Sequence, residues 1–192
     1  MKKQFLVYVF CASFAWTACS GSNEQETSAS SKESDKTTEV TKEKEPAIHC
    51  SGLELSDLSR QLNVNVTNDD DIKLFREIAS WVGAPYKSAG VDKSGADCSG
   101  FVDAVFNQVY GIKLPRQTAK IYDQIRSVSK EDAQSGDLVF FRTDGKISQT
   151  PNYLGIYLKE NRFAVMSSKG FKIESLESSY YKKNFVCVGR VK

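Results

Sequence analysis

The sequence contains a single histidine among 192 residues, and this shortage excludes several kinds of site. That histidine, His49, has no second histidine to work with and no Cys-x-x-Cys pair is present, so a zinc site of the usual histidine-containing kind is excluded. No metal or cofactor is predicted. The charges nearly cancel, with a formal net charge of +2, and no basic run is interleaved with aromatic residues. Nucleic acid is therefore not expected as a partner.

Residues 1–18 have the composition of a secretory signal. Two lysines precede the apolar run QFLVYVFCASFAW, which is too short for a comfortable membrane span, and small residues lead into Cys19. This junction resembles the bacterial lipobox, with Trp16 where leucine is usual, which implies that Cys19 is lipidated and anchors the chain to a membrane. The alternative is an ordinary cleaved signal and a soluble periplasmic protein. Both interpretations place the chain in the cell envelope, where disulfides persist.

Residues 19–49 are predicted to form a disordered tether. From Ser20 to Ala47 the chain is rich in Ser, Thr, Glu and Lys and has no aromatic residue, a composition that cannot bury enough apolar surface to fold. The remaining residues, about 140 of them, suffice for one ordinary domain. We expect residues 50–69 to be an N-terminal extension of a domain that spans 70–192.

The pattern of apolar residues changes from helical to strand-like along this domain. Helical spacing predicts helices over 53–61, 70–82 and from Cys98 to Gly111, with a fourth over 116–125. Short β-branched and aromatic runs then predict strands over 137–142, 153–159, 162–167, 171–176 and 185–191. Helices followed by a strand meander indicate an α+β domain in which N-terminal helices pack on an antiparallel sheet.

Six segments occur in a characteristic order and spacing: WVGAPYKSAG, GADCSGFV, LPRQTA, SGDLVFF, LGIYL and RFAVMSSKG. Together they resemble the NlpC/P60 cell-wall peptidases, which have a papain-like cysteine peptidase fold. The resemblance runs from about Asp70 to the C-terminus. It implies hydrolysis of the amide bond between D-glutamate and the diamino acid of the peptidoglycan stem peptide.

The resemblance also implies roles for individual residues. The cysteine of the DCSG motif, Cys98, takes the position of the nucleophile. Asp97 and Ser99 on either side of it would help bind the free amino end of the stem peptide, and Tyr86 of the PY motif would lie beside the thiol and the oxyanion. Arg116, in LPRQTA, is expected to shape the cleft as a substrate-binding residue rather than to be an ordinary surface arginine. Without the resemblance, Asp97 is a helix N-cap and Cys98 a small buried residue.

The histidines that such chemistry needs are missing. A free thiol has a pKa near 8.5, and a neighbouring imidazolium lowers it and then protonates the leaving amine, while a third polar residue orients the imidazole. The resemblance places these two histidines at positions 153 and 165, which here hold Tyr153 and Val165. A phenol carries no positive charge and valine can neither donate nor accept a hydrogen bond, so we expect catalysis to be impaired.

The other cysteines and His49 leave alternatives open. Without Cys11 in the signal and Cys19, three cysteines remain, and a disulfide between Cys50 and Cys187 would leave Cys98 free, although sequence alone does not give the connectivity. Such a disulfide would hold His49 beside the last strand, where it could serve as an alternative base. The other interpretation of His49 is a solvated histidine in the tether.

Two functions follow from these residues. The first is a non-catalytic, membrane-anchored lipoprotein that binds peptidoglycan stem peptide or an envelope protein through the inherited cleft. The alternative is an active cysteine endopeptidase that cuts the stem peptide with Cys98 and a non-standard base.

Overall fold

A computed structural model describes residues 50–145 and 149–191 of the chain. The expectations for the signal, the tether, Cys19 and His49 lie outside these residues. Five helices are present in the described part of the chain: α1 Gly52–Leu62, α2 Ile72–Ala79, α3 Cys98–Tyr110, α4 Thr118–Tyr122 and α5 Ser179–Asn184. None of the described helices has the length and apolar content needed to cross a membrane.

The strands form one large sheet and one small hairpin. The hairpin pairs β1 Val91–Asp92 with β2 Gly95–Ala96. The six strands of the large sheet are β3 Ile125–Val128, β4 Leu138–Phe141, β5 Tyr153–Tyr157, β6 Arg162–Ser167, β7 Gly170–Ser175 and β8 Phe185–Val191. Their order is β3-β8-β4-β5-β6-β7, and every pair is antiparallel. The predicted α+β class, with helices against an antiparallel sheet, is confirmed.

Both faces of the large sheet are covered. On one face Leu154, Ile156 and Ala164 join the helices in the main core cluster, to which the N-terminal α1 contributes Leu58 and Leu62. The alternate residues of the same strands face the opposite side and form a second cluster. Its members are Val139, Phe141, Tyr157, Phe163, Val165, Leu176, Tyr181 and Val188. A strand such as β4, with four buried residues in succession, is therefore buried on both sides.

Helix α3 begins and ends where the sequence indicates. Asp97 caps its first turn, and Gly111 ends it with a φ of 69°, a left-handed conformation that glycine adopts without strain. A Cβ at Gly100 in the first turn would lie 2.0 Å from the carbonyl oxygen of Gly90. The glycine of the DCSG motif therefore lets the loop before the hairpin pack directly against the start of the helix.

Several predicted elements needed correction at their boundaries. Helix α2 is shorter than the predicted 70–82 because Asp71 caps it and Ser80 ends it. The fourth helix is limited to Thr118–Tyr122 because Gln117 is extended and β3 starts at Ile125. The predicted strands 162–167 and 185–191 match β6 and β8, whereas β3, the hairpin and α5 were not predicted.

The structure corrects the pairing of Cys50 with Cys187. All three cysteines of the described residues, Cys50, Cys98 and Cys187, are free. Cys50 is buried ahead of α1, where its Sγ accepts a hydrogen bond from Nη2 of Arg76 at 3.1 Å. Cys187 lies in β8 opposite Phe140 of β4. Cys50 and Cys187 thus lie beside different residues.

Candidate active site

Cys98 is the first residue of α3, and the residue before it fixes the geometry of this turn. Oδ1 of Asp97 accepts a hydrogen bond from the Gly100 N–H at 2.8 Å, and its Oδ2 accepts one from the Ala89 N–H at 3.0 Å. Nη2 of Arg116 donates to Oδ2 at 2.8 Å and completes an ion pair. The carboxylate of Asp97 therefore ties together the helix start, the loop before the hairpin and the segment that carries Arg116.

Ser99 belongs to the same network. Its Oγ lies 2.7 Å from the carbonyl oxygen of Arg116 and 3.1 Å from Oδ1 of Asp97. The structure thus brings Asp97, Ser99 and Arg116 together, as the sequence analysis expected of a shared site. Their mutual hydrogen bonds position the first turn of α3, and the predicted binding of a peptide amino group by Asp97 and Ser99 stays a prediction.

The thiol of Cys98 is in a poor environment for a thiolate. Burial raises its pKa to about 11, and the nearby carboxylate of Asp97 acts in the same direction. The backbone N–H groups around the sulfur, including that of Leu154 in β5, favour the thiolate but do not offset burial. At neutral pH the sulfur is therefore a neutral thiol, with about one molecule in 10⁴ ionised.

Tyr153 is the residue at the position where the resemblance leads us to expect the first histidine. It is the first residue of β5, and its hydroxyl donates a hydrogen bond to the carbonyl oxygen of Met166 at 3.3 Å. Burial raises the pKa of Tyr153 well above its usual value, and the neighbouring Tyr181 and Cys98 raise it further. The phenol stays protonated, so it can neither remove the thiol proton at neutral pH nor stabilise a thiolate with a positive charge.

Val165 is the residue at the position where the resemblance leads us to expect the second histidine. It is fully buried in β6, opposite Lys172 of β7, and packs within the second cluster beside Phe141 and Phe163. The described residues include no histidine, so no imidazole reaches Cys98 from this part of the chain. Position 165 is thus part of the apolar core.

A cleft of about 710 Å³ opens beside Cys98 and Tyr153. Tyr86 stands at one side, 43% exposed, and Tyr180 at another, 56% exposed. Tyr86 and Cys98 thus line the same cleft, and the expected role of Tyr86 beside the thiol and the oxyanion stays a prediction. Further residues that line this cleft are Thr143, Met166, Ser167, Ser168, Lys169, Lys172, Glu174, Ser178 and Tyr181.

Helix α5 supplies a wall of the cleft that was not predicted from the sequence. Ser178 is the N-cap of this helix, and Tyr180 and Tyr181 in its first turn face the cleft. The signal was present, since a serine precedes the segment and two lysines fall in its last turn, a typical pattern of helix ends. With only six residues, the helix has too few turns for its apolar spacing to be recognised.

No metal site accompanies the cleft. Among residues 50–145 and 149–191, no group of three or more His, Cys, Asp or Glu residues is arranged to hold a metal ion. The described side chains of the cleft offer a ligand tyrosine rings, hydroxyl groups and the charges of Lys169, Lys172 and Glu174.

The sequence is similar to known cell-wall proteins. The NlpC/P60 family matches residues 83–190. Over 151 residues the chain is 34% identical to the murein DD-endopeptidase MepS/murein LD-carboxypeptidase of Escherichia coli K12, covering 76% of this chain and 78% of that protein. It is 40% identical over 114 residues to a probable endopeptidase of Haemophilus influenzae, covering 58% and 68% of the two chains.

Solved structures of NlpC/P60 proteins have a fold similar to that of this chain. A lipoprotein-like NLP/P60 family protein of Staphylococcus aureus matches with a TM-score of 0.55 and 30% identity, over 64% of this chain and 42% of that one. RipD of Mycobacterium tuberculosis matches with a TM-score of 0.50 and 20% identity, over 62% and 98% of the two chains. RipD is described as a non-catalytic NlpC/p60 domain protein adapted to peptidoglycan binding.

Proposed function

Because this chain belongs to the NlpC/P60 family, we propose that it is a cell-envelope protein that binds peptidoglycan stem peptide through the cleft beside Cys98 without hydrolysing it at a useful rate. Its relatives are named as murein endopeptidases, so the ligand class is that of the family. The proposal includes a lipid anchor at Cys19, which would keep the domain close to the wall.

One observation carries the loss of catalysis: the thiol of Cys98 has a tyrosine beside it and a pKa of about 11. Removing members of a catalytic triad costs about 10⁴ to 10⁶ in rate, and what is left comes from binding and oxyanion stabilisation alone. Amide hydrolysis also needs an acid that protonates the leaving amine, and a tyrosine with a raised pKa is poor at this task near neutral pH.

The binding role draws on the parts of the site that are kept. The first turn of α3 retains its capping network, and exposed tyrosine rings and charged side chains line the open cleft. Rings of this kind supply contact area at low entropic cost, because a tyrosine has few rotatable bonds. The loss of the histidine pair removes the chemistry and leaves a concave surface of the size that a peptide occupies.

The test combines binding and cleavage on the same protein. We would titrate the purified chain with the tripeptide L-alanyl-γ-D-glutamyl-diaminopimelate by calorimetry, and incubate it with muropeptides analysed by mass spectrometry. The native chain and Cys98→Ala should bind equally, and neither should release cleavage products. Tyr180→Ala should weaken binding, whereas Tyr110→Ala, which alters a tyrosine outside the cleft, should not.

Cleavage that disappears in Cys98→Ala would contradict the proposal and support the endopeptidase alternative. His49→Ala would then show whether the base comes from His49. Absence of binding to any stem peptide, together with absence of cleavage, would also contradict the proposal and would leave an envelope protein as the partner to be sought.

A further inference from the structure

Strand β7 presents two opposite charges to the cleft. Successive side chains of a strand point to opposite faces, and in β7 Phe171 and Ile173 pack against the main core. Lys172 and Glu174 therefore share the other face, and both line the cleft beside Cys98. At about 3.3 Å per residue, their backbone positions are about 7 Å apart.

Neither charge is neutralised by a neighbour. Glu177, close to them in sequence, is paired: its carboxylate forms ion pairs with Lys130 at 2.5 Å and with Lys182 at 3.7 Å. Across residues 50–145 and 149–191, no ion pair includes Lys172 or Glu174. Both side chains are thus available to a ligand.

Other groups show that this wall of the cleft is suited to polar contacts. Glu174 and Tyr181 both line the cleft, and the charge of Glu174 adds to burial in raising the pKa of the Tyr181 hydroxyl to about 12. Lys172 lies opposite Val165 on the neighbouring strand. Ser178 also lines the cleft, and its Oγ is buried and makes no hydrogen bond within the described residues. A buried hydroxyl without a partner is uncommon, because it loses its hydrogen bonds to water.

We propose that Lys172 and Glu174 form a subsite for a zwitterionic amino-acid head group, with the ligand carboxylate on Lys172 and the ligand ammonium on Glu174. A group that carries both charges on one carbon matches two opposite charges on one strand face, whereas a single ammonium or carboxylate would leave one of them unpaired.

This inference rests on the proposed function and narrows its ligand. A stem peptide whose third residue is 2,6-diaminopimelate ends that side chain in an ammonium and a carboxylate on one carbon, whereas a lysine side chain ends in an ammonium alone. The subsite therefore favours the diaminopimelate type. Free diaminopimelate carries the same head group, so the test must separate the free amino acid from the peptide.

The experiment measures the affinity of the full chain by calorimetry for three probes. These are L-alanyl-γ-D-glutamyl-diaminopimelate, the same tripeptide with L-lysine as its third residue, and free diaminopimelate. We expect the first tripeptide to bind about fivefold more tightly than the second, the upper end for a partly exposed ion pair. Lys172→Met should abolish this preference. Glu174→Gln should weaken the binding of both tripeptides, since the third residue of each carries a side-chain ammonium. Lys183→Met and Glu131→Gln make the same charge changes outside the cleft and should have no effect.

The outcomes separate this inference from the proposed function. Equal affinities for the two tripeptides, or no difference between Lys172→Met and Lys183→Met, would overturn the subsite and leave stem-peptide binding in place. Failure of both tripeptides to bind would overturn the proposed function, and it would overturn the subsite as well if free diaminopimelate also fails to bind. If free diaminopimelate binds as tightly as its tripeptide and Lys172→Met abolishes that binding, the subsite is supported and its ligand is the free amino acid.

Discussion

Raising the pH should switch on the reaction of Cys98 with iodoacetamide, because the thiolate rather than the thiol is the nucleophile. With a pKa of about 11, the ionised fraction at pH 7 is about 1 in 10⁴, compared with about 3% for an unperturbed thiol. The alkylation rate at pH 7 should therefore be about 300-fold lower than that of a free cysteine. Between pH 6 and 9 it should rise about tenfold per pH unit and reach no plateau.

The carboxylate of Asp97 allows a matched perturbation of this pKa. Its negative charge raises the pKa of Cys98, so Asp97→Asn, which keeps a capping side chain, should lower that pKa and increase the alkylation rate at any fixed pH. His49→Ala should leave the rate unchanged.

The assay is mass spectrometry of the intact purified chain over time, with a Cys98→Ala chain as the blank for Cys50 and Cys187. A rate that already reaches its plateau below pH 7 would refute the reasoning, since it requires a thiolate held by a positive charge. Loss of that plateau in His49→Ala would identify the imidazole that supplies the charge and would revive the endopeptidase alternative.

Three further predictions concern stability. Gly100→Ala should lower the free energy of unfolding by about 3 kcal/mol in denaturant titration, because the added Cβ would lie 2.0 Å from the carbonyl oxygen of Gly90. An unchanged denaturation midpoint would show that the loop before the hairpin moves away without cost. Val165→His should lower the free energy of unfolding by about 2 to 4 kcal/mol, because it places an imidazole in a fully buried apolar cluster. A smaller loss in denaturant titration would mean that position 165 tolerates a polar ring. Burial acts to raise the pKa of Asp70, but hydrogen bonds from Lys159 and Thr67 lower it overall. The ion pair between Asp70 and Lys159 therefore stabilises the fold above pH 4, and this stabilisation is lost as the pH falls below 4. Asp70→Asn should therefore show a weaker loss of stability below pH 4 than the native chain, and parallel acid unfolding curves would count against this role.

The helix that carries Cys98 could be predicted because its determinants are local. Phe101, Val102 and Val105 mark one face, and Gly111 supplies the left-handed residue that ends it. The sequence also places an acidic residue just before the first turn, where it caps the helix. Local signals of this kind do not depend on the rest of the fold.

The far wall of the cleft could not be predicted in the same way. Helix α5 is too short to show a helical period, and the two-residue strands of the hairpin are too short to alternate. The ion pair between Asp97 and Arg116 joins residues 19 positions apart, and only the tertiary fold reveals it. Tyr153 and Val165 lie on the adjacent strands β5 and β6, and their correspondence to the expected histidine positions stays a prediction.

The side chain of Tyr181 has a mechanical consequence for the cleft. The residue is 7% exposed, and its ring lies 4.8 Å from that of Phe163 and 5.0 Å from that of Phe141, yet it also forms part of the cleft wall. The width of the cleft at this point is thus set by close packing in the core, and widening it would separate rings that attract one another. Any ligand of this cleft would therefore meet a preformed surface. Little ordering of the protein would oppose binding, and the stiffness of the core would oppose a ligand too wide for the cleft.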